Sequence, residues 1–122
     1  MIPMVFKEEL KNEFYSPEGC FILEISNSEN DPSVSIAKAT VESGKQTKKH
    51  KLLGVTERYV IISGHGIMNL GTEQFSVKAG DVVLIPPGVT QSIYNNGPFN
   101  LVFYCVCTPR FTESCYISLD SD

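Results

Sequence analysis

The sequence predicts an all-β chain, folded as an antiparallel sandwich or barrel. Three observations carry this. Short runs rich in β-branched and aromatic residues recur about every 8–14 residues along the chain. Turn chemistry separates them: "NSENDPS", "GHG", "LGT", "KAGD", "PPG" and "NNGP". Helical periodicity is weak throughout.

The predicted strands, in order, are "CFILEIS" (20–26), "VSIAKATV" (34–41), "RYVIISG" (58–64), "GIMNL" (66–70), "EQFSV" (73–77), "DVVLIP" (81–86), "QSIYN" (91–95) and "NLVFYCVC" (100–107). Residues 6–15, "FKEELKNEFY", suit a short helical turn or an irregular arm, and the tail "TESCYISLD" is ambiguous. The 122 residues suit one domain, with an N-terminal arm and strands over 1–30, a barrel core over 34–107 and a tail over 108–122. No linker or solenoid-length repeat divides it.

The net charge of −4 gives no global attraction to nucleic acid or anionic membrane, and no helix-turn-helix pattern is present. No apolar run approaches the roughly 20 residues that span a bilayer. The N-terminus turns charged after six residues, so it lacks a signal-peptide core; a cytoplasmic protein is expected. The four cysteines fit that expectation as free thiols. Cys105 and Cys107 alternate on one strand and point the same way, and Cys20 and Cys115 supply no second pair for a zinc site.

The chemistry concentrates around "HKLLGVTERYV", residues 50–60. Gly44, His50, Glu57 and Gly64 stand in the spacing G-x₅-H-x-L-x₄-E-x₆-G, and Gly80, Pro86, Gly88, Gln91 and Asn95 in the spacing G-x₅-P-x-G-x₂-Q-x₃-N. On strands, 57, 59 and 61 share one face, as do 91 and 93, and 50 and 52 do so if that segment is extended. If Glu57 points inward, Tyr59 lines the same cavity; Tyr94 is out of phase with Gln91, and Arg58 points away. His65 falls in a tight turn, where solvent exposure is expected. Lys45, Lys48, Lys49 and Lys51 form either a solvated loop or a cationic rim that draws in an anion. His50 is the sole credible base, so no serine or cysteine triad can be assembled.

These two motifs resemble the paired cupin motifs, with Leu52 and Gln91 where the family pattern has histidine. The ending "CTPRF" and the strand pattern extend the likeness over most of the chain. The resemblance implies a double-stranded β-helix (jelly-roll) cupin barrel with a pocket in its mouth. Carried over position by position, it implies a divalent metal, Fe, Mn, Ni or Zn, held by His50, Glu57 and Gln91. Glutamine is a weaker donor than imidazole, which shifts preference towards oxygen-tolerant ions. Tyr59 is then the candidate catalytic proton donor or acceptor.

Two functions stay open. One is a metal-dependent dioxygenase, isomerase or lyase acting on a small oxygenated or carboxylate metabolite. The other is a non-catalytic module binding a small sugar or anion in a depleted site. A homodimer is expected under either, with residues 1–30 covering an open sheet edge.

Overall fold

The computed structural model describes residues 2–120. The strands are β1 (Phe14–Tyr15), β2 (Phe21–Ser26), β3 (Ser35–Val41), β4 (His50–Leu52), β5 (Thr56–Ser63), β6 (His65–Leu70), β7 (Glu73–Lys78), β8 (Val82–Ile85), β9 (Gln91–Tyr94), β10 (Leu101–Thr108) and β11 (Tyr116–Ser118). Two 3₁₀ turns, Leu10–Asn12 and Glu113–Cys115, precede β1 and β11. All eight predicted strands are present, within two residues at each end. β1, β4 and β11 are additional, and each has at most three residues.

The strands form two antiparallel sheets in a jelly-roll. One runs β1-β2-β3-β10-β5-β8 and the other β11-β4-β9-β6-β7. Alternation builds the first sheet. On β5 the inward positions Glu57, Tyr59 and Ile61 are buried while their neighbours are half-buried or exposed. On β3, Ser35, Ala39 and Val41 turn inward, and on β10, Leu101, Phe103 and Cys107 do. Register then sets the rows that matter: Ser35, Cys107 and Glu57 lie side by side, and so do Ala37, Cys105 and Tyr59. Met68, Ile93, Val77 and Val83 join Ile61 and Phe103 in the main core. Leu52, Val55, Cys107 and Cys115 make a smaller cluster at the other end.

The motif residues outside the site are structural. Gly64 links β5 to β6 at φ +85°, and a side chain there would meet the backbone oxygen of Asn100 at 2.6 Å. Asn95 is fully buried. Its Nδ2 donates to the carbonyls of Val41 and Phe99, each at 2.8 Å, and its Oδ1 accepts from the Gly97 N–H at 2.9 Å. It thereby ties the end of β3 to the loop between β9 and β10 and satisfies backbone groups in both.

Ahead of β1 the chain crosses the outer face of the first sheet. The 3₁₀ turn contacts β2, and Glu8 pairs with Lys38 of β3. The rest of that face, on β10, β5 and β8, stays open. None of the described helices is long and apolar enough to cross a membrane.

Candidate active site

Between the sheets lies a cavity of about 400 Å³. Its wall includes Glu57 and Tyr59 from β5, His50 and Leu52 from β4, Cys105 and Cys107 from β10, Glu18 and Cys20 from the turn before β2, and Tyr116 from β11.

His50 is buried on the three-residue strand β4, which β11 and β9 flank. Its Nδ1 lies 2.9 Å from the Lys48 carbonyl oxygen, which can only accept. Nδ1 therefore carries hydrogen, and in the neutral ring Nε2 keeps the free lone pair. Tyr116 stacks on the imidazole, with centroids 4.9 Å apart and planes 19° apart. Glu18 Oε2 lies 3.4 Å from the same Nδ1 and accepts from the Tyr116 hydroxyl at 3.4 Å.

Glu57 is 7% exposed. Its Oε2 accepts a weak bond from the Cys107 thiol at 3.7 Å, and its Oε1 has no partner among the described residues. Burial pushes the carboxyl up to about 7; His50 draws it down, Glu18 adds to the rise, and Gln91 and Cys107 favour the ionised form. The Gln91 amide nitrogen nevertheless stands outside hydrogen-bond geometry and has no partner of its own.

Tyr59 donates its hydroxyl to Gln91 Oε1 at 2.8 Å, joining the two sheets, and its ring stacks on Phe103 at 4.2 Å. Burial, and then the Glu57 charge, hold the phenol well above its ordinary value, so it stays a hydrogen-bond donor. Gln91 pairs with His50 across β4 and β9 but is not part of the cavity wall. The thiols on the wall are free and protonated. Burial raises Cys20 to about 12, and Cys105 and Cys107 are also raised, by burial first and then by Glu57.

The sequence-derived candidates thus divide. His50, Glu57 and Tyr59 share the wall, while Gln91 stands behind it with its oxygen held by Tyr59. Leu52 occupies the wall where the motif pattern has histidine. Arg58 points away, to Thr108 Oγ1 at 2.7 Å. His65 is exposed at the start of β6 rather than in a turn, and none of the lysines of 45–51 reaches the cavity. Glu18 and Tyr116 were not anticipated. They flank His50 from 32 residues before it and 66 after it, and no spacing motif reaches that far.

As placed, these donors do not make up a resident metal centre. His50 Nε2 and Glu57 Oε1 fit one, but the Gln91 oxygen is turned to Tyr59, and the described residues include no group of three His, Cys, Asp or Glu able to hold an ion. Turning the Gln91 amide over would exchange its oxygen and nitrogen and complete the set.

Residues 37–107 match the model of the family described as "Cupin domain". The chain belongs to the cupin family. This cupin is 38% identical over 79 residues to an uncharacterized protein of Methanocaldococcus jannaschii, a match covering 65% of this chain and 63% of that one. It therefore spans less than two thirds of that relative's length. Among solved structures, the cupin superposes on Pac13 of Streptomyces, described as a nucleoside dehydratase, with TM-score 0.78 and 18% identity over 95% of this chain and 92% of the other. It also resembles a predicted oxalate decarboxylase of Thermotoga maritima, with TM-score 0.72 and 24% identity over 85% and 93%. At these identities the likeness shows the fold.

Proposed function

We propose that this cupin is a small enzyme of isomerase or lyase type. It moves a proton on a small oxygenated metabolite held in the cavity, with Glu57 and His50 as the acid–base pair. One observation carries the reading: a wall carboxyl whose Oε1 has no partner among the described residues, pushed to about 7, beside an imidazole whose Nδ1 is engaged by the Lys48 carbonyl, which leaves Nε2 as its acceptor atom. A group titrating near the working pH is available in both protonation states, as general acid–base catalysis requires. Glu18 and Tyr116 hold the imidazole, and Tyr59 ties Gln91 behind the wall. The fold hosts a dehydratase in Pac13, so an elimination lies within its range.

The test is a mass-spectrometric screen of small hydroxy, keto and amino compounds in D₂O. Turnover with solvent deuterium incorporated, unaffected by EDTA and reduced by about 10² or more in Glu57→Gln and His50→Ala, is the expected result. Failure of every compound to exchange or react would leave the non-catalytic binding module as the better account.

A metal-dependent enzyme is the second reading, favoured by the unpartnered Glu57 Oε1 in a wall without lysine or arginine. His50, Glu57 and a turned-over Gln91 would hold Fe, Mn, Ni or Zn, which would supply Lewis-acid polarisation of a substrate oxygen. Activity lost to EDTA and restored by one of these ions would establish it.

We further propose a homodimer formed through the open outer face of β10, β5 and β8. Val82 and Leu84 there are 62% and 58% exposed, Ile62 is exposed, and Val60, Val102, Tyr104 and Val106 are half-buried. A solvated face of an antiparallel sheet carries polar residues at such positions. This face is uncharged apart from Arg58, which Thr108 engages, so a second copy of an acidic chain meets it without repulsion there. Light scattering at micromolar concentration should return twice 13.5 kDa, and Leu84→Glu should halve that mass. A wild-type mass of 13.5 kDa would refute the dimer.

A further inference from the structure

We propose that the cavity selects a small organic cation, so that the metabolite carries a protonated amino group. This inference rests on the reading that the cavity is the ligand site. Four carboxylates stand on the wall, Glu18, Glu24, Glu57 and Glu113, with no lysine or arginine among the residues that line it. Glu24 and Glu113 are exposed, while Glu18 is largely buried and Glu57 nearly wholly so. An entering ligand therefore meets negative charge at solvent and again in the interior.

Surface acidity alone would carry little. The buried Glu57 carboxylate adds to this: its Oε1 lacks any hydrogen-bond partner among the described residues. No lysine or arginine is among the described residues that line the cavity around that oxygen. An ammonium N–H would satisfy it and would offset the charge that burial leaves uncompensated. The remaining wall suits the rest of such a ligand. It is mostly apolar, and Tyr59, Phe103 and Tyr116 present rings to a cavity large enough for an aromatic or branched amine. Ring faces attract an alkylammonium. A carboxylate ligand would instead be placed against Glu57 and Glu18, with His50, already engaged by the Lys48 carbonyl and by Glu18, as the one basic group on the wall.

Three probes of matched shape test this: benzylamine, benzyl alcohol and benzoate. Each is titrated into the full-length protein at pH 8, by calorimetry and by melting temperature. Benzylamine should bind at least roughly tenfold more tightly than benzyl alcohol, and benzoate should give no shift. In Glu57→Gln the amine and the alcohol should converge to within about threefold, and Glu18→Gln should narrow the gap in part. Benzoate binding as tightly as benzylamine would overturn the charge selection and leave the cavity standing as the ligand site. Absence of binding by all three would overturn both. Manganese or zinc chloride raising the melting temperature where benzylamine does not would overturn the organic cation in favour of an inorganic one.

Discussion

Glu57→Gln is expected to melt at a higher temperature than the wild type at pH 8, by on the order of 10 °C, and to melt with it at pH 4. The cause is the rise of this carboxyl from 4.5 to about 7 on folding. Between those values the folded chain holds a proton that the unfolded chain has released. Wild-type stability therefore falls as pH rises from 4.5, and the loss is complete above 7, where both states are ionised. The full shift corresponds to about 3 kcal/mol at most, since each unit is worth about 1.4 kcal/mol. Glutamine cannot ionise, so the variant escapes the loss. Thermal melts of both proteins across pH 4–8 check the prediction. Parallel melting curves at every pH would show that something in the purified protein already compensates the Glu57 charge. Under the proposed acid–base role the site would exemplify a stability–function trade-off, a destabilising charge kept where the chemistry needs one.

Gly64→Ala should be the most damaging glycine-to-alanine change in the described chain. The backbone there has φ +85°, a region that L side chains avoid. The new Cβ would also stand 2.6 Å from the Asn100 oxygen and 3.1 Å from the Leu101 Cα, both main-chain atoms at the start of β10. Neither can rotate away, so β10 itself must shift. The combined strain and displacement should cost about 3 kcal/mol or more. Gly71→Ala is the control. Its φ is +58°, but nothing lies within 4 Å of the added carbon, so only the conformational cost remains, about 1 kcal/mol. Urea denaturation of the two variants separates strain from collision; equal losses would remove the collision from the account.

The same glycine shows what the sequence could convey. Its place in the first motif followed from spacing, and the structure supplies the reason, a close approach between two backbones. The strands carrying Glu57, Tyr59 and Gln91 were readable because alternation over four or more residues leaves a clear pattern. β4 and β11 were not, since three residues hold too little alternation to register. That omission hid Tyr116 and Glu18, which reach His50 only because the chain ends fold back beside it. The motif resemblance groups Gln91 with His50, and the two lie opposite each other across β4 and β9, but a motif says nothing of which way an amide turns, and that choice decides whether the oxygen faces the wall or Tyr59. The lysine run is the opposite case. Its charge is conspicuous in the sequence, yet strand phase and loop path keep it off the wall.

The cavity draws its wall from Phe14 on the first strand to Tyr116 on the last, and from both sheets. An occupant would thus work as a rivet, fastening at one point segments about a hundred residues apart in the chain. β1 and β11 are short edge strands, the first to fray in a structure of this kind. Ligand saturation should slow amide hydrogen exchange most at those two ends, even though few of their groups touch the ligand. The extremities of the chain would then report on the occupancy of its centre.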